Sequence, residues 1–146
     1  MRLTLHKGGC RPDPVTDFGC HTMKYALLPH AGPFNAEAVV KPAYAFNYAP
    51  EIFVNETLNV PALFSLSAGN IIAEAVKNAE DAENAYVIRL YEAERSATNC
   101  TLSLNGAKKV WLTNMLEEKK EELPLEDGAV KLTFRPFEIK TVLVER

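Results

Sequence analysis

The side chains that could do chemistry in this sequence are few and scattered. His6, His21 and His30 are the three histidines, and no two of them have metal-pair spacing; the H-E-x-x-H helix signature is absent. A zinc site needs three or four convergent N, S or O ligands, so no metal site is expected within the chain. Cys10, Cys20 and Cys100 are odd in number and form no C-x-x-C pair, which excludes zinc-ribbon and thioredoxin-type chemistry. Cys20 directly precedes His21, but neighbours on a strand point to opposite faces, so the two do not form a nucleophile–base dyad. There is no G-x-S-x-G elbow, no phosphate-binding loop and no G-x-G-x-x-G turn.

Carboxylates need a closer reading, because glycoside hydrolysis uses two of them as acid and nucleophile or base. Asp13 and Asp17 lie in a Gly/Pro loop, where turn formation explains them. Asp127 sits in an Asp-Gly turn. Glu92 and Glu94 end an apolar run and read as solvated. Nothing selects a pair, and no catalytic residue is expected. Trp111 could stack on a sugar ring, but its place shortly after a turn suits packing at a core or edge.

The elements that would position these residues are mostly strands. Residues 3–5 alternate as a strand would, and the pattern starts at once after Met1. A strand needs a neighbour to pair with, so the sequence is expected to be the end of a longer chain. A Gly/Pro/Asp-rich loop over 8–19 leads to a second expected strand over 21–28, ended by Pro29. Asn35 can cap a short helix with Val39, Val40, Ala43 and Tyr44 on its apolar side; Pro42 would kink it or cut it short. Residues 49–66, with Pro50 and Pro61, read as an irregular arm. Residues 71–79 (IIAEAVKNA) place Ile71, Ile72, Ala75, Val76 and Ala79 on one helical face, yet a buried strand would carry the same composition.

The rest has the marks of an antiparallel β-sandwich. Residues 87–92 (VIRLYE) are strand-like in composition. Asn105-Gly106 lies between Leu102-x-Leu104 and Val110-x-Leu112, and Asp127-Gly128 lies between two further alternating runs. Both dipeptides favour the positive φ angles of a type I′ hairpin turn. Residues 137–144 (FEIKTVLV) form a last strand, and turns recur roughly every dozen residues. The run at 117–122 (EEKKEE) mixes signs and reads as a solvated turn.

Composition excludes other classes. The 146 residues are 47% hydrophobic and 24% charged with net charge −3, as in ordinary globular protein. No basic tract points to nucleic acid. No apolar run nears the roughly 20 residues of a membrane helix, and the N-terminus has no signal-peptide core. Unpaired cysteines favour a reducing compartment, so the expected location is cytoplasmic. The N-x-T sequons at Asn55 and Asn99 carry no meaning there.

One string is more specific. Residues 17–32 (DFGCHTMKYALLPHAG) resemble a segment of glycoside hydrolase family 38, the α-mannosidases, in the frame Asp17-x-Gly19-x-His21 followed by Tyr25-Ala26-Leu27-x-Pro29-His30-x-Gly32. Arg2-Leu3-Thr4-Leu5, Pro12-Asp13-Pro14, Ala43-Tyr44-Ala45-Phe46-Asn47, Ile88-Arg89-Leu90-Tyr91-Glu92, Thr113-Asn114-Met115-Leu116-Glu117 and Pro136-Phe137-Glu138-Ile139-Lys140-Thr141 are similar to family elements in the same order. The resemblance implies residues 1–66 as the end of a central β-sandwich with a connecting arm, and 67–146 as a small Ig-like C-terminal β-sandwich. It also implies a strand at 71–79, which we adopt. Family members are much longer, retaining enzymes that release α-linked mannose, with zinc and the nucleophile in an N-terminal catalytic domain. None of those motifs has a counterpart here. The implied role is structural: a non-catalytic region packed on its own parent's catalytic domain, with Lys7 and His21 as candidates to line the mannose-oligosaccharide site. The family's arginine is replaced at Lys7, which cannot make a bidentate guanidinium contact, and His21 reads better as a packed or hydrogen-bonded structural histidine. The competing reading is a free-standing carbohydrate-binding module.

Overall fold

A computed structural model describes residues 2–9, 11–15, 17–52, 54 and 60–146. Among the described residues the chain runs through a short helical segment into eight strands. Asn35 opens the helix as expected: its Oδ1 accepts the Ala38 N–H at 2.8 Å. Residues Ala36–Val40 form a widened π turn, with the Lys41 N–H bonded to the Ala36 carbonyl, and α1 follows over Lys41–Asn47. The extra residue in that turn places Pro42 in the first turn of α1, where no N–H is required. Pro42 therefore starts a new helical register instead of ending the helix.

The strands are β1 (Phe64–Leu66), β2 (Ile71–Asn78), β3 (Ala85–Glu92), β4 (Thr98–Leu104), β5 (Lys109–Thr113), β6 (Lys119–Leu123), β7 (Ala129–Phe134) and β8 (Ile139–Glu145). They form two antiparallel sheets, β1-β4-β7 and β2-β3-β8-β5-β6. Between the sheets lie Cys100, Leu102, Val130, Leu132 and Phe134 from the first, and Ile71, Ile88, Leu90, Val110, Val142 and Val144 from the second. The expected mainly β, sandwich-type architecture with one short helix is what the chain adopts. β1 comes from the end of the stretch read as an irregular arm.

Four local expectations are corrected. The alternating residues 3–5 and 21–28 form no strands; they are exposed and belong to neither sheet, and alternation without a neighbouring edge leaves backbone groups to water. Asn105-Gly106 does not join a hairpin. β4 and β5 lie in different sheets, and Gly106, at φ +72, turns the chain across the core so that Leu104 and Val110 meet from opposite sides. Asp127-Gly128 does make the tight turn, with φ 48 and 75 and reciprocal bonds between Glu126 and Ala129, but that pairing goes no further because β6 belongs to the other sheet. Finally, much of the charged run 117–122 is the edge strand β6, whose exposed Lys and Glu side chains keep that edge from pairing with other chains.

Residues 71–78 are a strand despite their helical spacing. A bulge between Ala73 and Ala75 leaves Glu74 without a cross-strand partner. Ile71 and Ala73 thus face the core, with Val76 on the same side but 46% exposed, and Ile72 and Ala75 lie on the other face. A strand with two apolar faces and a shift of parity imitates a 3.6-residue period.

Candidate functional site

The polar groups that the fold gathers lie where the helix meets the sandwich. At the end of β3, Glu92 is 1% exposed, a correction to its expected solvated state. Its Oε1 accepts from Asn70 Nδ2 at 2.9 Å, the Glu94 N–H at 2.7 Å and Ser96 Oγ at 3.1 Å. Its Oε2 accepts the Phe137 N–H at 3.0 Å. Burial disfavours the charged form, but the Phe137 and Glu94 amides and the Asn70 side chain outweigh it and hold the carboxyl at about 2. Asn70 continues the network to Thr98 Oγ1 at 2.7 Å. One carboxylate therefore ties together the start of β2, the β3–β4 loop and the β7–β8 turn.

Two residues on, Glu94 reaches the helix. Its Oε1 accepts the N–H of Ala36, a fully buried residue, at 2.6 Å. The bulge aims Glu74 at the same segment: Tyr44 OH donates to the Glu74 carboxylate and lies 3.3 Å from Tyr91 OH. The bond to Glu74, ahead of that to Tyr91, raises the Tyr44 phenol well above its ordinary value. Glu37 pairs with Lys41 and lies against Gly69, where a Cβ would come within 2.6 Å of Glu37 Oε1. Sequence reasoning missed this arrangement, because Glu92, Asn70 and Phe137 are far apart in the chain and no local motif links them.

Lys7 and His21 are exposed and lie outside any helix or strand. His21 Nε2 donates to the Asp17 carbonyl at 2.8 Å, and its ring centroid is 4.6 Å from that of His6. Neither lines the molecule's 740 Å³ hollow, bounded by Leu63, Tyr86 and Arg146 among others, nor the 330 Å³ hollow between Tyr91 and Phe137. Asp13 bonds the Val15 N–H at 3.0 Å, as expected of a turn residue. Trp111 is half-buried on β5 with Lys119 Nζ 4.8 Å from its ring centroid. Among the described residues no three His, Cys, Asp or Glu side chains converge as a metal site, and no helix is long and apolar enough to cross a membrane.

These features define a β-sandwich domain in which the buried Glu92 carboxylate holds the domain's own loops, and Glu94 and Glu74 hold a docked helix. The chain belongs to the family described as the glycosyl hydrolases family 38 C-terminal beta sandwich domain, whose model matches residues 70–142. It is similar to "Alpha-mannosidase 2C1" of Homo sapiens, 34% identical over 153 residues, and to the protein of the same name in Mus musculus, 32% identical over 155 residues. Each match covers 99% of this chain. "Alpha-mannosidase" of Saccharomyces cerevisiae is 29% identical over 164 residues, covering 95% of this chain. The chain spans 15% of the length of each of these relatives.

Proposed function

We propose that this chain serves as the non-catalytic C-terminal β region of a longer α-mannosidase, and that its work is structural. The observation that carries the reading is the match of 99% of the chain to only 15% of a protein named for its mannosidase activity. The geometry agrees with it. Glu92, the carboxylate most removed from water, has its oxygens occupied by the protein's own donors, and so is not free to act on a sugar.

In this reading the longer enzyme hydrolyses terminal α-linked mannose with retention, using zinc. That ion and its ligands belong, in this reading, to the catalytic domain that this region packs against. Residues 1–66 complete a central sandwich together with parent chain beyond this sequence. Exposed Lys7 and His21 then reach the rim of the mannose-oligosaccharide site. Free thiols at Cys20 and Cys100 suit a reducing cytoplasm.

The test is turnover of an aryl α-mannoside with zinc supplied. The chain alone is expected to show none, and to restore stability or turnover to an α-mannosidase truncated ahead of this region. Turnover by the chain alone overturns the reading. Saturable mannobiose binding by the chain alone, followed by Trp111 fluorescence, would replace it with a sugar-binding module.

A further inference from the structure

The outer face of the five-stranded sheet mixes charged residues such as Arg89 and Lys109 with apolar ones, and part of its apolar surface is packed within the chain. Trp111 and the turn residues Ala79 and Ala82 pack on Ala85, Val87 and Leu143, while Tyr44 of α1 closes on Tyr91. One stretch stays open. There Phe137 is 61% and Ile139 56% exposed, beside a hollow of about 330 Å³ that Arg89, Tyr91, Ala93 and Glu74 also line.

Phe137 is held in this position. Its φ of 58° lies in the left-handed region, which a bulky residue keeps only where its surroundings impose it. The buried Glu92 carboxylate takes its N–H. Glu138 braces the same turn by accepting the Arg135 N–H at 2.8 Å and the Arg135 guanidinium at 3.1 Å. A fixed backbone that presents an aromatic ring to water is how a docking anchor is built.

Resting on the proposed function, we infer that Phe137, Ile139 and the hollow beside them form the surface on which the catalytic part of the α-mannosidase chain docks, by inserting an apolar side chain between Tyr91 and Phe137. Two observations favour this occupant. The relatives carry most of their length outside the region matched here. The open stretch is also continuous, through Glu74, with the second apolar hollow formed by Phe34, Val40, Tyr44 and Tyr48 on the helix that residues 2–35 lead into. It thus extends an interface the chain already makes between its helix and its sandwich.

A photo-crosslinking amino acid, p-benzoylphenylalanine, is placed at position 137 and, as control, at Thr133 on the polar outer face of the other sheet. Each chain is mixed with the Homo sapiens relative truncated ahead of the matched region, and binding of the unaltered chain is measured separately. Adducts from position 137 but not 133 are expected. Phe137→Ser is expected to weaken binding about tenfold or more with an unchanged unfolding midpoint. Binding without an adduct from 137, or with equal adducts from 133, overturns the docking surface alone. Adducts only between two copies of this chain assign the surface to self-association and overturn it too. No binding by the unaltered chain removes the proposed function along with it.

Discussion

In the sandwich, Leu90, Leu102, Val110 and Phe134 are shut between two sheets with no exposed surface; in residues 2–35, Leu3, Leu5, Phe18, Tyr25 and Leu27 are each more than half exposed. Both regions carry apolar residues in strand-like alternation. They differ in whether a second surface is present to receive them. Eight strands supply each other's partners and bury a common core, whereas the earlier segment finds no edge among the described residues. Alternation states which face would be buried, and a partner decides whether it is.

The largest effect should separate the two regions directly. Phe134→Ala removes a fully buried ring and is expected to cost about 3–5 kcal/mol in urea unfolding, while Phe18→Ala, at an exposed ring, should stay within about 0.5 kcal/mol. Equal losses would break the contrast. Next comes the buried carboxylate. Glu92→Ala strands the Phe137 and Glu94 amides and is expected to cost about 2–3 kcal/mol. Its pH dependence has a definite sign. The folded group titrates near 2, below its ordinary 4.5, so its contribution is present above about 4.5 and is lost as pH falls towards 2. Glu92→Gln should therefore flatten the acid limb of the stability profile in that window; an unchanged acid limb would show that another group governs it. Smaller still is the helix contact. Glu94→Ala leaves the Ala36 N–H without its acceptor and should cost about 1 kcal/mol of helix docking. Hydrogen exchange should then quicken at residues 36–47, with the unfolding midpoint of the sandwich unmoved.

How legible the fold was varied with the range of the forces that decide it. Asp127-Gly128 could be read because left-handed backbone at both positions is a local demand. Asn105-Gly106 made a turn as well, but whether the chain returns within one sheet or crosses to the other is settled by which strands β4 and β5 meet. Leu102, Leu104 and Val110 point into the core in either case, so their alternation was silent on the choice. The bulge at Glu74 disguised β2 as a helix. Glu92 looked like a strand-end carboxylate because the donors that bury it belong to residues 22 and 45 positions away as well as to its neighbours. The sandwich-type fold and the resemblance to family 38 were thus readable, while the network joining helix to sandwich existed only once the strands were paired. Phe137 was visible as part of a family-like string, yet its presentation to solvent depends on that same distant carboxylate.

The difference between the two regions also sets the most direct trial of the structural role. Amide hydrogen exchange would be followed across the whole chain, alone and with the catalytic part of an α-mannosidase added. Residues 64–145 should be protected in both conditions, and residues 2–35 should exchange freely alone and gain protection on addition. Protection of residues 2–35 in the isolated chain, or no change in them when the catalytic part binds, would contradict the account.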